Sequence, residues 1–272
     1  MIPPVVGQQL LADRRDLVVA DVRSYLDGRS AREAYDRGHL PGAVFIDLAR
    51  WLAAEPGPED GRHPLPDPEV FAEGMGQAGI GDDTTVIAYD DAGGVIAARL
   101  VWMLRAIGHP AALLDGGLTA WAGPLEVREP ARPWLTFTPR PWPTELLATI
   151  EDAADPANLV IDARDGARYA GGIDPVDPRS GHIPGARSMP CRDHLEADGT
   201  LLPVAELRDR LAAVGITEDL DRPIVSYCGS GVTACHNLLV LEHAGLPTGR
   251  LYPGSWSQYS QTNRPIATGA QP

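Results

Sequence analysis

Three cysteines, Cys191, Cys228 and Cys235, are the candidate nucleophiles of this 272-residue chain. Cys228 stands where a nucleophile can be armed, in "YCGSGVTACHN" (Tyr227 to Asn237), after the apolar run "PIVSY" and before "LLVLEHAGL". Gly229 and Gly231 lack a Cβ and accept backbone angles that other residues avoid, so the chain can curl tightly here. Curling turns successive N–H groups inward and makes an anion nest, and a helix that follows adds its positive N-terminal end. The nest expected from the spacing runs through Gly229, Ser230, Gly231, Val232 and Thr233, with the two hydroxyls as further donors. A cysteine at the mouth of such a nest favours the thiolate form. The loop is built to stabilise negative charge on, or attached to, one sulfur.

Two chemistries use a cysteine in this setting. Phosphoryl transfer of the C-x5-R type needs an arginine six residues after the cysteine; here that residue is Ala234, and no basic residue lies between Cys228 and Cys235. This counts against a phosphatase. Sulfur transfer needs a thiolate that accepts a sulfur atom and holds it as a persulfide, which is ping-pong covalent catalysis without a metal or organic cofactor. Cys235 lies roughly 10 Å from Cys228 by helical rise, too far for a disulfide, and reads as core. Cys191 carries no local signal. Three cysteines without a CxxC pair suggest neither a disulfide framework nor a zinc site.

The elements that position the loop come from a chain written twice. "LVVADVRSYLDGRSAREAYDRGHLPGAVFIDL" (17–48) matches "LVIDARDGARYAGGIDPVDPRSGHIPGARSMP" (159–190), with Asp21 against Asp162 and Arg23 against Arg164. "VIAYDDAGGVIAARLVWMLRAIGHP" (86–110) matches "IVSYCGSGVTACHNLLVLEHAGLP" (224–247), and "LLDGGLTAWAG" (113–123) matches "LYPGSWSQYSQ" (251–261). Each half alternates short β-branched runs of the buried parallel-strand type with helical patterns. Residues 68–80 and 203–216 read as helices with a proline near the start and a glycine near the end. An α/β sheet, mainly parallel, follows for each half. The proline-dense stretch 124–141 reads as an extended linker, giving domains at 1–123 and 142–272. His39 and His182, Arg23 and Arg164 occur in both halves and read as structural for that reason. Trp256 and Tyr259 read as core.

A net charge of −14 and a pI near 4.8 argue against nucleic acid or an anionic membrane as partner. No apolar run reaches the roughly 20 residues that span a bilayer, and the start of the chain lacks the pattern of a secretory signal. A cytoplasmic location is expected.

The tandem repeat, "GHLPGA"/"GHIPGA", "CGSGVT" and the closing "GSWSQY" together resemble two-domain rhodanese-type sulfurtransferases, over nearly the whole chain. The resemblance implies a rhodanese-like domain in each half: a five-stranded, mainly parallel sheet with helices on both faces. It implies catalysis by Cys228 in the second half, and a silent first half in which Asp90, with "DDAGG", replaces the cysteine loop and leaves no cradle. Relatives that prefer thiosulfate carry basic residues after the cysteine, whereas "CGSGVT" is similar to 3-mercaptopyruvate sulfurtransferases. The expected function is therefore transfer of sulfur from a small anionic donor, 3-mercaptopyruvate, to cyanide, a thiol or a thioredoxin-like acceptor. A thiosulfate enzyme and a sulfur-carrier or anion-binding module without turnover are the alternatives. The same resemblance implies Arg168 and Arg179 as carboxylate-binding residues. It also implies His63 with Ser230 as a proton relay; the acidic position of that relay falls at Ala49 here, which leaves Asp47 or Asp60 as substitutes.

Overall fold

The computed structural model describes residues 2–13, 17–174 and 176–272. The chain forms two compact units that interleave in sequence. The first comprises Met1–Ala54, Leu65–Trp142 and Leu195–Leu201; the second comprises Glu55–Pro64, Pro143–His194 and Leu202–Pro272.

The first unit holds a parallel sheet of five strands: β1 (Val5–Val6), β2 (Leu17–Asp21), β3 (Val44–Phe45), β4 (Thr85–Tyr89) and β5 (Ala111–Leu114), in the order β1-β5-β4-β2-β3. Every residue of β2, β4 and β5 is buried, as expected for strands covered on both faces. The second unit repeats the plan with β6 (Leu159–Asp162), β7 (Arg187–Ser188), β8 (Ile224–Tyr227) and β9 (Arg250–Leu251), all parallel, in the order β7-β6-β8-β9. The expected fifth strand of this sheet is reduced to a single parallel bridge, Leu147 to Leu251. The 3₁₀ turn Thr144–Leu146 ends immediately before it, which leaves no length for a second pair. Helices form where the pattern placed them, at Pro68–Gln77, Ala98–Ala106, Val204–Ala213 and Ala234–His243. Pro68 opens its helix behind Asp67, whose side chain accepts the Glu69 N–H at 2.9 Å. The proline-rich stretch after residue 124 packs on the first unit, with Phe137 edge-on to Phe71 and Thr138 bonded to Asp82.

The duplicated residues do duplicated work. Asp21 is wholly buried and accepts from Arg23 and from the Tyr89 hydroxyl, while Arg23 also reaches the Gly38 carbonyl. Asp162 and Arg164 repeat this, with Arg164 bonded to the Gly181 carbonyl. His39 and His182 each bond a tyrosine carbonyl through Nδ1 and stack on that tyrosine's ring at 3.8 Å. These pairs lock the chain after the helix that follows the first long strand of each unit, Ala31–Arg37 and Gly166–Tyr169, whichever half carries the chemistry. Trp256 and Tyr259 lie in the second core with Tyr227 and Tyr252, as expected. No helix among the described residues is long and apolar enough to cross a membrane.

Two other buried histidines should make the second unit acid-sensitive. His194 and His236 are buried with ring centroids 6.3 Å apart, and none of their four ring nitrogens has a hydrogen-bond partner among the described residues. Burial, with Arg210 nearby, lowers His194 to about 4; burial, with His194 and Arg192, lowers His236 to about 3. Above about pH 7.5 these groups are neutral in both the folded and the unfolded chain. As pH falls from there toward 4, the unfolded chain binds protons that the folded unit does not. Stability should then decline by at most about 1.4 kcal/mol per pH unit for each histidine. Urea unfolding at about pH 7.5 and about pH 5 should show this loss, and His236→Asn should flatten the slope. An unchanged slope would rule out the pair as its cause.

Candidate active site

Cys228 follows directly on β8, at the carboxyl edge of the second sheet where open α/β folds place their sites. The turn after it is fixed from outside. The carbonyls of Cys228 and Gly229 accept the N–H groups of Trp256 and Ser257 at 3.0 and 2.9 Å, at the start of the short helix Ser255–Tyr259. With those carbonyls engaged there, the Gly231 N–H is directed to the Cys228 sulfur at 3.2 Å. Gly231 has φ +77°, and a Cβ there would stand 2.6 Å from the Pro253 carbonyl oxygen. Only glycine fits this position. Behind the loop, Ser255 accepts the Cys228 N–H at 3.1 Å while donating to the Tyr252 carbonyl. Ser255 is the one non-glycine residue with positive φ among the described residues, at 52°. A left-handed serine costs of order 1 kcal/mol, and here it anchors the cysteine backbone.

The other cysteines are reduced and buried. The Cys235 thiol donates to the Gly231 carbonyl at 3.4 Å. Burial pushes the Cys191 thiol up to about 12.

The corresponding loop of the first unit corrects the expectation that "DDAGG" abolishes the nest. Asp90 is wholly buried, and its Oδ1 accepts N–H groups from Ala92 at 2.7 Å and Gly94 at 2.8 Å. Its Oδ2 accepts those of Ile96 at 2.7 Å and Ala97 at 2.8 Å. Gly94 is left-handed like Gly231, and each precedes a valine. The nest is present and is filled by an anion that the chain supplies. An aspartate oxygen is the third atom from Cα, as the outer sulfur of a cysteine persulfide is. The four donors around Asp90 therefore show what such a loop offers an anion of that reach.

Two guanidinium groups stand beside the Cys228 loop. A Cβ built on Gly229 would lie 3.2 Å from Arg62 Nη2 and 3.5 Å from both terminal nitrogens of Arg168. Arg168 donates from Nε and Nη2 to Asp174 at 3.1 and 2.9 Å, and from Nη2 to Asp177 at 3.3 Å. Asp177 also pairs with Arg62, and Asp174 approaches Arg164 at 3.8 Å. Burial pushes the Asp174 carboxyl up, but the Val176 N–H and Arg168 outweigh it and hold it below its usual value. His63 Nδ1 lies 2.8 Å from the Ser230 hydroxyl, bringing the expected relay pair together.

The structure does not bring Arg179 into this group. Its guanidinium donates to the carbonyls of Ser260, Arg264 and Tyr259, fastening the C-terminal segment. Asp47 caps the helix Leu48–Trp51 and Asp60 accepts the Gly57 N–H. Sequence reading missed Arg62 and Ser255. The signals were present, since Arg62 adjoins His63 in "GRHPLP" and Ser255 begins the matched "SWSQY". Among the described residues no group of three or more His, Cys, Asp or Glu could hold a metal ion.

Comparison with known proteins bears on this geometry. The family profile described as a rhodanese-like domain matches the chain twice, over residues 8–124 and 143–262. A Pseudomonas aeruginosa protein provisionally named a 3-mercaptopyruvate sulfurtransferase is 41% identical, across 97% of this chain and 98% of its own. A Mycobacterium tuberculosis protein provisionally named a thiosulfate sulfurtransferase is 36% identical, across 92% and 90%. The solved 3-mercaptopyruvate sulfurtransferase of Leishmania major superposes with a TM-score of 0.85 at 31% identity, covering 97% of this chain and 75% of that one.

Proposed function

Because the chain belongs to the rhodanese-like family and is a sulfurtransferase, we propose that Cys228 takes sulfur from 3-mercaptopyruvate as a persulfide and passes it to a thiophilic acceptor. The Cys228 thiolate attacks the thiol sulfur of the donor, an S–S bond forms, and the carbon–sulfur bond breaks. The electron pair of that bond leaves on the methylene carbon, which takes up the thiol proton, so pyruvate departs and Cys228 holds the outer sulfur as an anion. A nucleophile such as cyanide, a small thiol or a cytoplasmic thioredoxin-like protein then attacks that sulfur and returns the thiolate.

The observation that carries this reading is the Gly231 N–H at 3.2 Å from the sulfur, in a loop whose carbonyls are engaged elsewhere. Backbone N–H groups of Gly229, Ser230, Gly231, Val232 and Thr233 cradle the thiolate and the persulfide. Ser230 and His63 move the donor's thiol proton. Arg168 orients the donor carboxylate, because its guanidinium faces Gly229 and is held there by two aspartates. The first unit is catalytically silent in this reading, its nest being occupied by Asp90.

Relatives carry both donor names, so the donor is argued from residues. No cation lies within 229–233, and a keto acid needs only its carboxylate held beside the loop. Steady-state kcat/KM should favour 3-mercaptopyruvate over thiosulfate. Arg168→Ala should raise KM for 3-mercaptopyruvate by about 30-fold or more, the usual scale for truncating one partner of a buried charge contact. A clear preference for thiosulfate would overturn the donor assignment. Persulfide formation without turnover to any acceptor would instead identify a sulfur carrier.

A further inference from the structure

The donor end of the site holds a second arginine, carried on the Glu55–Pro64 segment of the second unit. Arg62 is fixed by its backbone, whose N–H donates to the Ser257 hydroxyl at 3.0 Å, and by its ion pair with Asp177. Its Nη2 lies nearer the Cβ position of Gly229 than either terminal nitrogen of Arg168 does. Its Nε is buried without a hydrogen-bond partner among the described residues. The two guanidinium groups thus flank the residue that follows the nucleophile, and the Asp177 side chain, 2% exposed, lies between them and pairs with both.

The charges of this group balance. Arg62, Arg164 and Arg168 face Asp162, Asp174 and Asp177 in a continuous series of contacts. Three positive and three negative side chains sum to zero net charge, in a chain whose net charge is −14. An incoming anion is held there by directed N–H donors, not by surplus positive charge. One carboxylate suits such a site. A second negative charge on the same small donor would be desolvated with no counter-charge to meet it.

Building on the donor reading above, we propose that Arg62 is the second arm of the donor clamp and that Asp177 limits the clamp to a donor with one negative charge. Arg62 replaces Arg179 in this role, and Asp177 acts through the two arginines as a positioning residue. Removing the Asp177 charge leaves the group at net +1, which favours a dianion.

The test measures kcat and KM for 3-mercaptopyruvate and for thiosulfate on the wild type, Arg62→Gln, Arg62→Lys and Asp177→Asn. It adds single-turnover discharge of sulfur-loaded enzyme to cyanide, a step that contains no donor. Arg62→Gln should raise KM for 3-mercaptopyruvate by about tenfold or more, Arg62→Lys should recover part of that, and discharge to cyanide should be unchanged. Asp177→Asn should raise the thiosulfate to 3-mercaptopyruvate ratio of kcat/KM by about tenfold. The proposal is overturned if Arg62→Gln leaves KM unchanged, if it slows discharge to cyanide as much as donor turnover, or if Asp177→Asn leaves the donor ratio unmoved. A wild type that prefers thiosulfate overturns the donor reading and the charge limit. The Arg62 arm then stands or falls on whether Arg62→Gln raises KM for thiosulfate.

Discussion

Cys228→Ser should abolish sulfur uptake, with kcat lowered by at least about 10³-fold, the scale on which loss of a covalent nucleophile acts. The substitution is close to isosteric, so the contacts that set the loop should survive it: Trp256 and Ser257 on the two carbonyls, Ser255 on the residue's own N–H. What disappears is the sulfur to which the Gly231 N–H is directed. A serine hydroxyl is a far weaker nucleophile than a thiolate at neutral pH. Mass spectrometry after incubation with donor should show a gain of one sulfur atom in the wild type and none in the variant. Cys191→Ser and Cys235→Ser should both retain the gain. Burial holds the Cys191 thiol at about 12, and the Cys235 thiol is turned onto the Gly231 carbonyl within the helix. Sulfur loading that survives Cys228→Ser and disappears with either of the others would move the nucleophile.

Asp90→Ala should lower the stability of the first unit by about 3–5 kcal/mol. The carboxylate accepts four buried N–H groups at 2.7–2.8 Å. Each donor left without an acceptor costs about 1–3 kcal/mol, and water entering the vacated space recovers part of that sum. Asp90→Asn tests the charge and the acceptor count separately from the volume. Its amide nitrogen would face two N–H donors instead of receiving them, so about half the loss should remain. Because a chain with two units need not unfold in one step, hydrogen exchange resolved by segment is the suitable measurement. Protection should fall in β4 and in the helix Ala98–Ala106, while β8 keeps its own. Unaltered protection in β4 would mean that the four contacts contribute little.

Much of the fold was legible because its signals are local. Apolar runs at β2, β4, β6 and β8, glycines after the helices and the internal repeat fixed the alternation of strand and helix and the parallel sheets. The fifth strand of the second sheet was over-read, since its partner in the repeat, β1, is itself two residues long and the second copy has only Leu147 left to pair. In the site, Cys228 and its glycines were legible from spacing, because a nest is made by consecutive residues. Arg62 was marked only by its adjacency to His63, because its meaning comes from Asp177, 115 positions away, and from proximity to Gly229. Arg179 was misdirected by its closeness to "GHIPG", where backbone carbonyls of the C-terminal segment compete for it. The filled nest around Asp90 escaped reading because an aspartate among glycines announces a turn and not the anion inside it.

The place of Glu55–Pro64 in the second unit has a consequence for how the enzyme is made. Ser230 and His63 meet across 167 positions, so ribosomal synthesis delivers the relay histidine and Arg62 long before the loop that they serve. The nest, made of consecutive residues, can form as soon as the strand and helix on either side of it have emerged. The donor clamp cannot, since its earliest member must wait for the rest of the unit to be translated and to close on it, and long-range closure of this kind is slow. A nascent chain therefore acquires the donor clamp only after β8 and the helix Ala234–His243 have emerged and closed on the earlier segment. A fragment begun at residue 143 would carry Cys228 and its nest and lack Arg62 and His63 altogether.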